Sequence, residues 1–252
     1  TELYLKMMLH ELEQIVDEKV PTTRFLINKV DRLIHYTSML INSFDIMKVG
    51  MDYEDYNTFR KTLTPASGFQ SVQFRFIELH CTSLVNLISQ RFKKERSNNP
   101  DLRECFEHIY WKDAGTDPKT GKKTLTLQLF EEKYLPKLTE TAKTVMGNTL
   151  EDKLDQLPYV PDALRNRLRT FDRLYNIDWP MVHLSTAEHY LDQKGENKQA
   201  TGGSDWKKYL HPKYQQRKFF PSLWTEIEKQ NWGINHKNEH YGSIEQATID
   251  AP

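Results

Sequence analysis

Apolar residues recur at helical spacing through almost the whole chain. Leu5, Met8, Leu9, Leu12, Ile15 and Val16 fall three and four apart, the stripe of an amphipathic helix that Pro21 ends. Thr22 or Thr23 can cap a second, long helix whose stripe is Leu26, Val30, Leu33, Leu40, Ile41 and Phe44, fading toward Gly50. A short helix through Tyr56 and Phe59 runs into Pro65. Beyond it, Phe69, Val72, Phe76, Ile77, Leu84, Leu87 and Ile88 predict a third long helix that ends near the polar Ser97-Asn98-Asn99-Pro100 break. The stretch 101–111 reads as helical, and 112–124, with Gly115, Pro118 and Gly121, as an exposed excursion. Helices resume over 126–145 and from Pro161 to Tyr175. A proline inside a helix breaks it, so Pro180 is expected in the first turn of the next one, with Asp178 or Trp179 at the cap and His183 near its start. The inward stripe there is Val182, Thr186, Ala187 and Tyr190. A loop over 195–204 follows, and Ser204 or Asp205 starts a last helical segment. Alternating strand patterns are scarce, so the expected class is all-α, with residues 1–252 forming a single large helical-bundle domain.

Charge narrows the partners. The 252 residues carry 35 Lys plus Arg against 35 Asp plus Glu, so no net field recruits a polyanion, and nucleic acid is not an expected partner. Local basic clusters at Arg91, Lys93, Lys94 and Arg96, and at Lys207, Lys208, Lys213, Arg217 and Lys218, read as solvated helix faces. Two cysteines, Cys81 and Cys105, have neither zinc-site spacing nor the density of a disulfide framework, which favours a reduced, cytoplasmic setting. No apolar run approaches the roughly 18–20 residues of a membrane span, and the amino terminus shows no signal segment. Thr1 begins in mid-pattern, without methionine or a helix cap, as a piece of a longer chain would.

The candidate chemistry gathers at three places. In 59–78, FRKTLTPASGFQSVQFRFIE, a Thr-Pro-Ala-Ser-Gly elbow interrupts helix-forming sequence, with Ser67 and Gln70 spaced as a capping box. Arg60 precedes the elbow, and Tyr56 lies one helical turn before Arg60, so both side chains can leave one face; an arginine so placed could grip a carboxylate with both nitrogens. The plainer alternative is an elbow between core helices with a solvated arginine. Among nine histidines, His183 stands out, one turn after Trp179 on an aromatic and aliphatic stripe, with His189 as the fallback. Thr201, followed by Gly202 and Gly203, is either a flexible turn or a loop able to close over a ligand.

The central run Phe59-Arg60, Leu63, Pro65 to Ser71, Gln73-Phe74-Arg75 and Ile77-Glu78 closely resembles the signature of the tryptophan 2,3-dioxygenase family. TELYLKMMLHEL at 1–12, Trp179-x-x-x-His183, Thr201-Gly202-Gly203-Ser204 and Phe219-Phe220-Pro221 follow in the family's order. Pro180, between Trp179 and His183, departs from the pattern. The resemblance implies a haem pocket holding haem b with His183 as axial iron ligand and Ser67 at the haem edge. It implies Arg60 and Tyr56 on the carboxylate of L-tryptophan and Thr201 on its amino acid end. The implied reaction opens the indole ring with dioxygen to give N-formylkynurenine, the first step of tryptophan catabolism by the kynurenine route, in a homotetramer. The family's distal histidine, toward the indole nitrogen, would lie before Thr1. Two alternatives stand beside this: a related haem monooxygenase of another aromatic amino acid, and a non-catalytic helical interaction protein on the same scaffold.

Overall fold

A computed structural model of the chain describes residues 1–62, 71–93, 100–117, 120–191, 207 and 210–234. Helix α1 (Glu2–Asp17) buries Leu5, Met8, Leu12 and Ile15, the stripe expected from spacing. Helix α2 (Thr23–Gly50) starts where Thr22 accepts a hydrogen bond from the Phe25 N–H, and its 28 residues span about 42 Å at 1.5 Å per residue. That length lets it touch α1 and α9 (Asp162–Arg173) along its first half, where Lys29 meets Glu11 and Asp31 meets Arg167, and α10 (Trp179–Leu191) toward its far end, at Phe44 and Lys48. Helix α3 (Tyr53–Thr62) follows α2 after two residues and leans on α10. Helix α4 (Val72–Cys81) packs on α1 and on α7 (Leu125–Val145). Short helices α5 (Leu102–Glu107), α6 (Tyr110–Ala114) and α8 (Leu150–Asp155) fill the flank. Among the described residues only isolated β-bridges occur besides helix, and the all-α expectation holds.

Three expectations need correction. The long helix expected over 69–88 stops at Cys81, and a single 3-10 turn, Leu84–Leu87, replaces its second half. Glu151 is the cause: its carboxylate accepts from Thr82 Oγ1 (2.7 Å), Ser83 N (3.1 Å) and Asn86 Nδ2 (3.0 Å), drawing the chain out of the helix. The 101–111 helix is likewise two pieces, parted where Ser89 N donates to His108 O (2.9 Å) and Ile88 bridges Ile109. The excursion over 112–124 is exposed only at its tip. Its base is pinned: Gly115 sits against Leu127, where an added Cβ would come within 2.8 Å, and Glu131 on α7 takes Lys112 (2.9 Å) and Lys123.

The carboxyl-terminal part is fastened by buried charge. Asp172 has no exposed surface, and its oxygens accept from Asn176 Nδ2 (2.8 Å), Phe219 N (2.8 Å), Phe220 N (3.2 Å) and Trp224 Nε1 (2.9 Å). Burial pushes its pKa up, and these four donors oppose the rise. The Phe219-Phe220-Pro221 run is therefore an anchor: both rings are fully buried and both amides end on one carboxylate. Nearby, Glu78 accepts from Tyr110 OH (2.5 Å) and Arg217 Nη1 (2.6 Å), with Arg75 Nη1 at 3.4 Å. Arg217 and Lys218, expected on a solvated face, are each 8% exposed. Arg217 is drawn inside by Glu78, while Lys218 lies over the Trp232 ring at 4.6 Å and donates to Gln216 O.

Pro180 falls in the first turn of α10, as expected, but no cap precedes it, and the helical path runs on from α9. Between the two helices, Leu174–Asp178 forms a π-helical turn, with the Trp179 N–H reaching the Leu174 carbonyl five residues back. Pro180 follows at once. In a regular helix its ring would strike the carbonyl four residues earlier, that of Asn176, and the widened turn relieves the clash without ending the helix. Arg173 Nε meets Asp178 Oδ2 at 3.6 Å across the same turn.

Replacing Asp172 by Ala strands three buried N–H donors on the segment 219–224 and should cost about 3–5 kcal/mol. Urea unfolding followed by tryptophan fluorescence measures it; a loss below about 1 kcal/mol would show that the carboxylate does not hold this segment.

Candidate functional site

Three of the sequence-selected residues, Tyr56, Arg60 and His183, lie on α3 and α10, which touch each other and share α2 as support. The contact between α3 and α10 is aromatic. Tyr56 stacks on Tyr190 with ring centroids 3.9 Å apart and planes 20° from parallel, and Phe59 meets Tyr56 edge-on at 6.0 Å. Arg60, one turn along α3, is half-buried and close enough to pull the Tyr56 phenol toward ionisation; burial wins, and the phenol's pKa is raised. His183 and Tyr190 are seven residues apart, two turns on one face of α10, with Cα atoms about 10.5 Å apart along the axis.

Helix α10 is held in rotation by polar contacts to α2. Lys48 Nζ donates to Ser185 Oγ at 2.8 Å, and burial lowers the Lys48 pKa against the pull of Asp45 and Glu188. The Tyr190 hydroxyl donates at the end of α2, to the Met47 carbonyl and, at 2.8 Å, to that of Met51. His183 packs against Phe44 of α2, ring centroids 5.5 Å apart.

The chemistry of His183 follows from that packing. Part of the residue still reaches solvent, yet its imidazole is set deeply enough that desolvation alone pulls the pKa down to about 4. At neutral pH the ring is uncharged and keeps a nitrogen lone pair. Neither ring nitrogen hydrogen-bonds to a described residue. No group of three His, Cys, Asp or Glu side chains among the described residues could cage a bare metal ion. A single neutral imidazole beside an apolar wall suits a metal that brings its other ligands with it, as an iron porphyrin does. His189, the fallback, is exposed and only meets Tyr190 edge-on.

Ser67 and Thr201 lie outside the described residues, as does the capping box expected at Ser67 and Gln70. Leu63, Pro65, Ala66, Gly68 and Phe69 of the signature run also lie outside them, and its described part from Ser71 on is largely architecture. Phe74 stacks on Tyr175 (5.0 Å) and meets Trp179 edge-on (4.7 Å), the turn before His183, while Gln73 Nε2 donates to the Glu2 carboxylate at 2.6 Å. Arg75 and Glu78 supply the buried ion pair of the core. Sequence reasoning missed that network, and it also missed Lys48 and the bridging role of Tyr190. An Arg and a Glu three apart inside an aromatic stretch was the available signal for the first; nothing local marks the other two. A shallow groove along α7, lined by Glu131, Leu135, Pro136 and Thr139, shares no residue with this set.

The depressed pKa of His183 carries a sign. Unfolded, the imidazole titrates near 6.5; folded, it resists protons down to about 4. Between those values the unfolded state binds more protons, so stability falls as pH drops from 6.5 toward 4. Substituting His183→Leu should flatten the dependence of the urea midpoint on pH in that window, leaving the shares of His80 and His211, whose pKa values are also lowered by burial. An identical slope in the variant would show that His183 is not desolvated.

With this geometry in view, comparison with known proteins is informative. A family model described as tryptophan 2,3-dioxygenase matches residues 1–157, which include Tyr56 and Arg60. Over 234 residues the chain is 26% identical to the tryptophan 2,3-dioxygenase of Bacillus thuringiensis, covering 89% of this chain and 79% of that protein. The tryptophan 2,3-dioxygenase of Herpetosiphon aurantiacus is 27% identical over 235 residues, 89% of this chain and 82% of its own length. That of Dictyostelium discoideum reaches 39% over 83 residues, 31% of this chain and 20% of the other. Since the family model takes in more than half of its length, the chain belongs to the tryptophan 2,3-dioxygenase family.

Proposed function

We propose that this protein opens the indole ring of L-tryptophan with dioxygen, giving N-formylkynurenine, and that it does so with haem b held through His183. Family membership supports the reaction. The observation that carries the site is the Tyr56–Tyr190 stack, which seats the helix bearing Arg60 against the helix bearing His183. When bound, the iron porphyrin supplies the activation of dioxygen that no side chain can. The chain's own residues position and polarise. A neutral His183 would donate its lone pair to iron, with Phe44 as apolar wall. Arg60 would take the substrate carboxylate in a charge-assisted, two-pronged grip, with the Tyr56 phenol, protonated at neutral pH as phenols are, donating to the same group. Thr201 would hold the amino acid end, and Ser67 would lie at the haem edge. Fixing the substrate at one end confines the indole to a small arc, which converts binding into orientation.

The same reading takes residues 1–252 as one domain of a cytoplasmic homotetramer. A large buried apolar cluster running from Leu5 to Leu223 supports the single domain, with a smaller one, Leu184 and Leu191 beside Tyr56, at the candidate site. Ile46 and Val49, exposed on α2, offer apolar area for contact between subunits. No helix among the described residues is long and apolar enough to cross a membrane.

The test is reconstitution with haem, followed by L-tryptophan titration and turnover under isotopically labelled dioxygen; both labelled atoms should enter the product. Entry of one atom would favour a monooxygenase. Removing a charge partner from a bound carboxylate costs about 2–5 kcal/mol, so Arg60→Ala should raise the L-tryptophan Kd and KM by at least about tenfold. His183→Ala should lose tight haem binding, and a variant that keeps it would place the iron ligand elsewhere.

A further inference from the structure

We infer that Tyr190 is a positioning residue for the substrate anchor, setting where Tyr56 and Arg60 stand relative to His183; this rests on the functional reading above. The residue is fully buried, and each part of it touches a different element. Its backbone belongs to α10, two turns from His183 on the same face. The hydroxyl, with one proton to give, lies between the Met47 and Met51 carbonyls at the end of α2. The Met47 carbonyl is in the last turn of α2 and that of Met51 belongs to the residue just past it, so neither has the full set of partners inside the helix. The ring face carries Tyr56, and therefore α3. Only Met51 and Asp52 separate α2 from α3, so fixing the end of α2 also fixes the point from which α3 departs.

The consequence is a rigid triangle. The hydroxyl sets the elbow between α2 and α3, the ring sets the lateral seat of Tyr56, and the backbone ties both to the helix of His183. Arg60 is four residues, about 6 Å, from Tyr56 along α3, so a small tilt of the helix moves the guanidinium by a comparable fraction of an ångström to an ångström. A two-pronged carboxylate grip does not tolerate that displacement. Tyr190 need not touch the substrate for this.

Tyr190→Phe separates the two contacts, keeping the stack and losing the hydroxyl, and Tyr190→Leu removes both. On haem-loaded protein, Tyr190→Phe should weaken L-tryptophan binding about tenfold and Tyr190→Leu more. Tryptamine, which has no carboxylate, should bind all three proteins alike, and the Soret band should stay that of the wild type. In the haem-free protein, amide hydrogen exchange over 53–62 should speed up in Tyr190→Phe while α1 exchanges as before. Unchanged L-tryptophan affinity in Tyr190→Phe, or equal losses for tryptamine and L-tryptophan, would overturn the positioning role and leave the functional reading intact. A wild-type protein that gives no response to L-tryptophan would overturn the functional reading, and the positioning role with it.

Discussion

A single carboxylate, that of Asp172, ties α9 to the carboxyl-terminal segment. Four donors reach it from an adjoining turn, from two consecutive backbone amides and from an indole, and none of its surface meets water. An unpaired charge there would be costly, so every donor must be in place at once, and the constraint is collective. It fixes Phe219 against Phe171 and Tyr175, with Phe220 edge-on to Phe219, and Tyr175 extends the aromatic packing to Phe74 and Trp179. The helix of His183 grows out of that packed floor, so the position of the candidate iron ligand depends on a charge two turns and more before it in the chain.

The second buried charge group, Glu78 with Arg75, Arg217 and Tyr110, reinforces the same junction from the other side. Both knots join α4 and α9 to residues 217–224, which are remote in sequence from either. Buried ion pairs add little net stability compared with apolar packing, but they reject alternatives sharply, because any other arrangement leaves a charge unmatched.

The fold was legible in the sequence wherever apolar spacing decided the outcome. The stripes of α1 and α2, the cap at Thr22 and the span of α7 follow from it. It was not legible where polar groups distant in sequence intervene. Glu151 ends α4 early, a partner 65 residues and more away that no local pattern reveals. The basic residues at 217 and 218 read as surface because charge normally is, and only the partners at Glu78 and Trp232 make burial tolerable. At the candidate site, Tyr56, Arg60 and His183 were selected by type and order, whereas the stack that brings α3 to α10 joins residues 134 positions apart and has no local signal.

The π turn at Leu174–Asp178 acts as a phase adjuster. A turn of that kind contains one residue more than a regular helix needs, and one residue is worth about 100° of rotation about the axis. Everything downstream is therefore aimed by the extra residue: with it, the imidazole at 183 and the phenol at 190 meet α2. Shortening the turn by one position would leave α10 intact as a helix, point both rings roughly a quarter-turn aside and return Pro180 to a clash with the carbonyl behind it. Helical content would survive such a deletion, while the facing of the candidate iron ligand and the candidate substrate anchor would not.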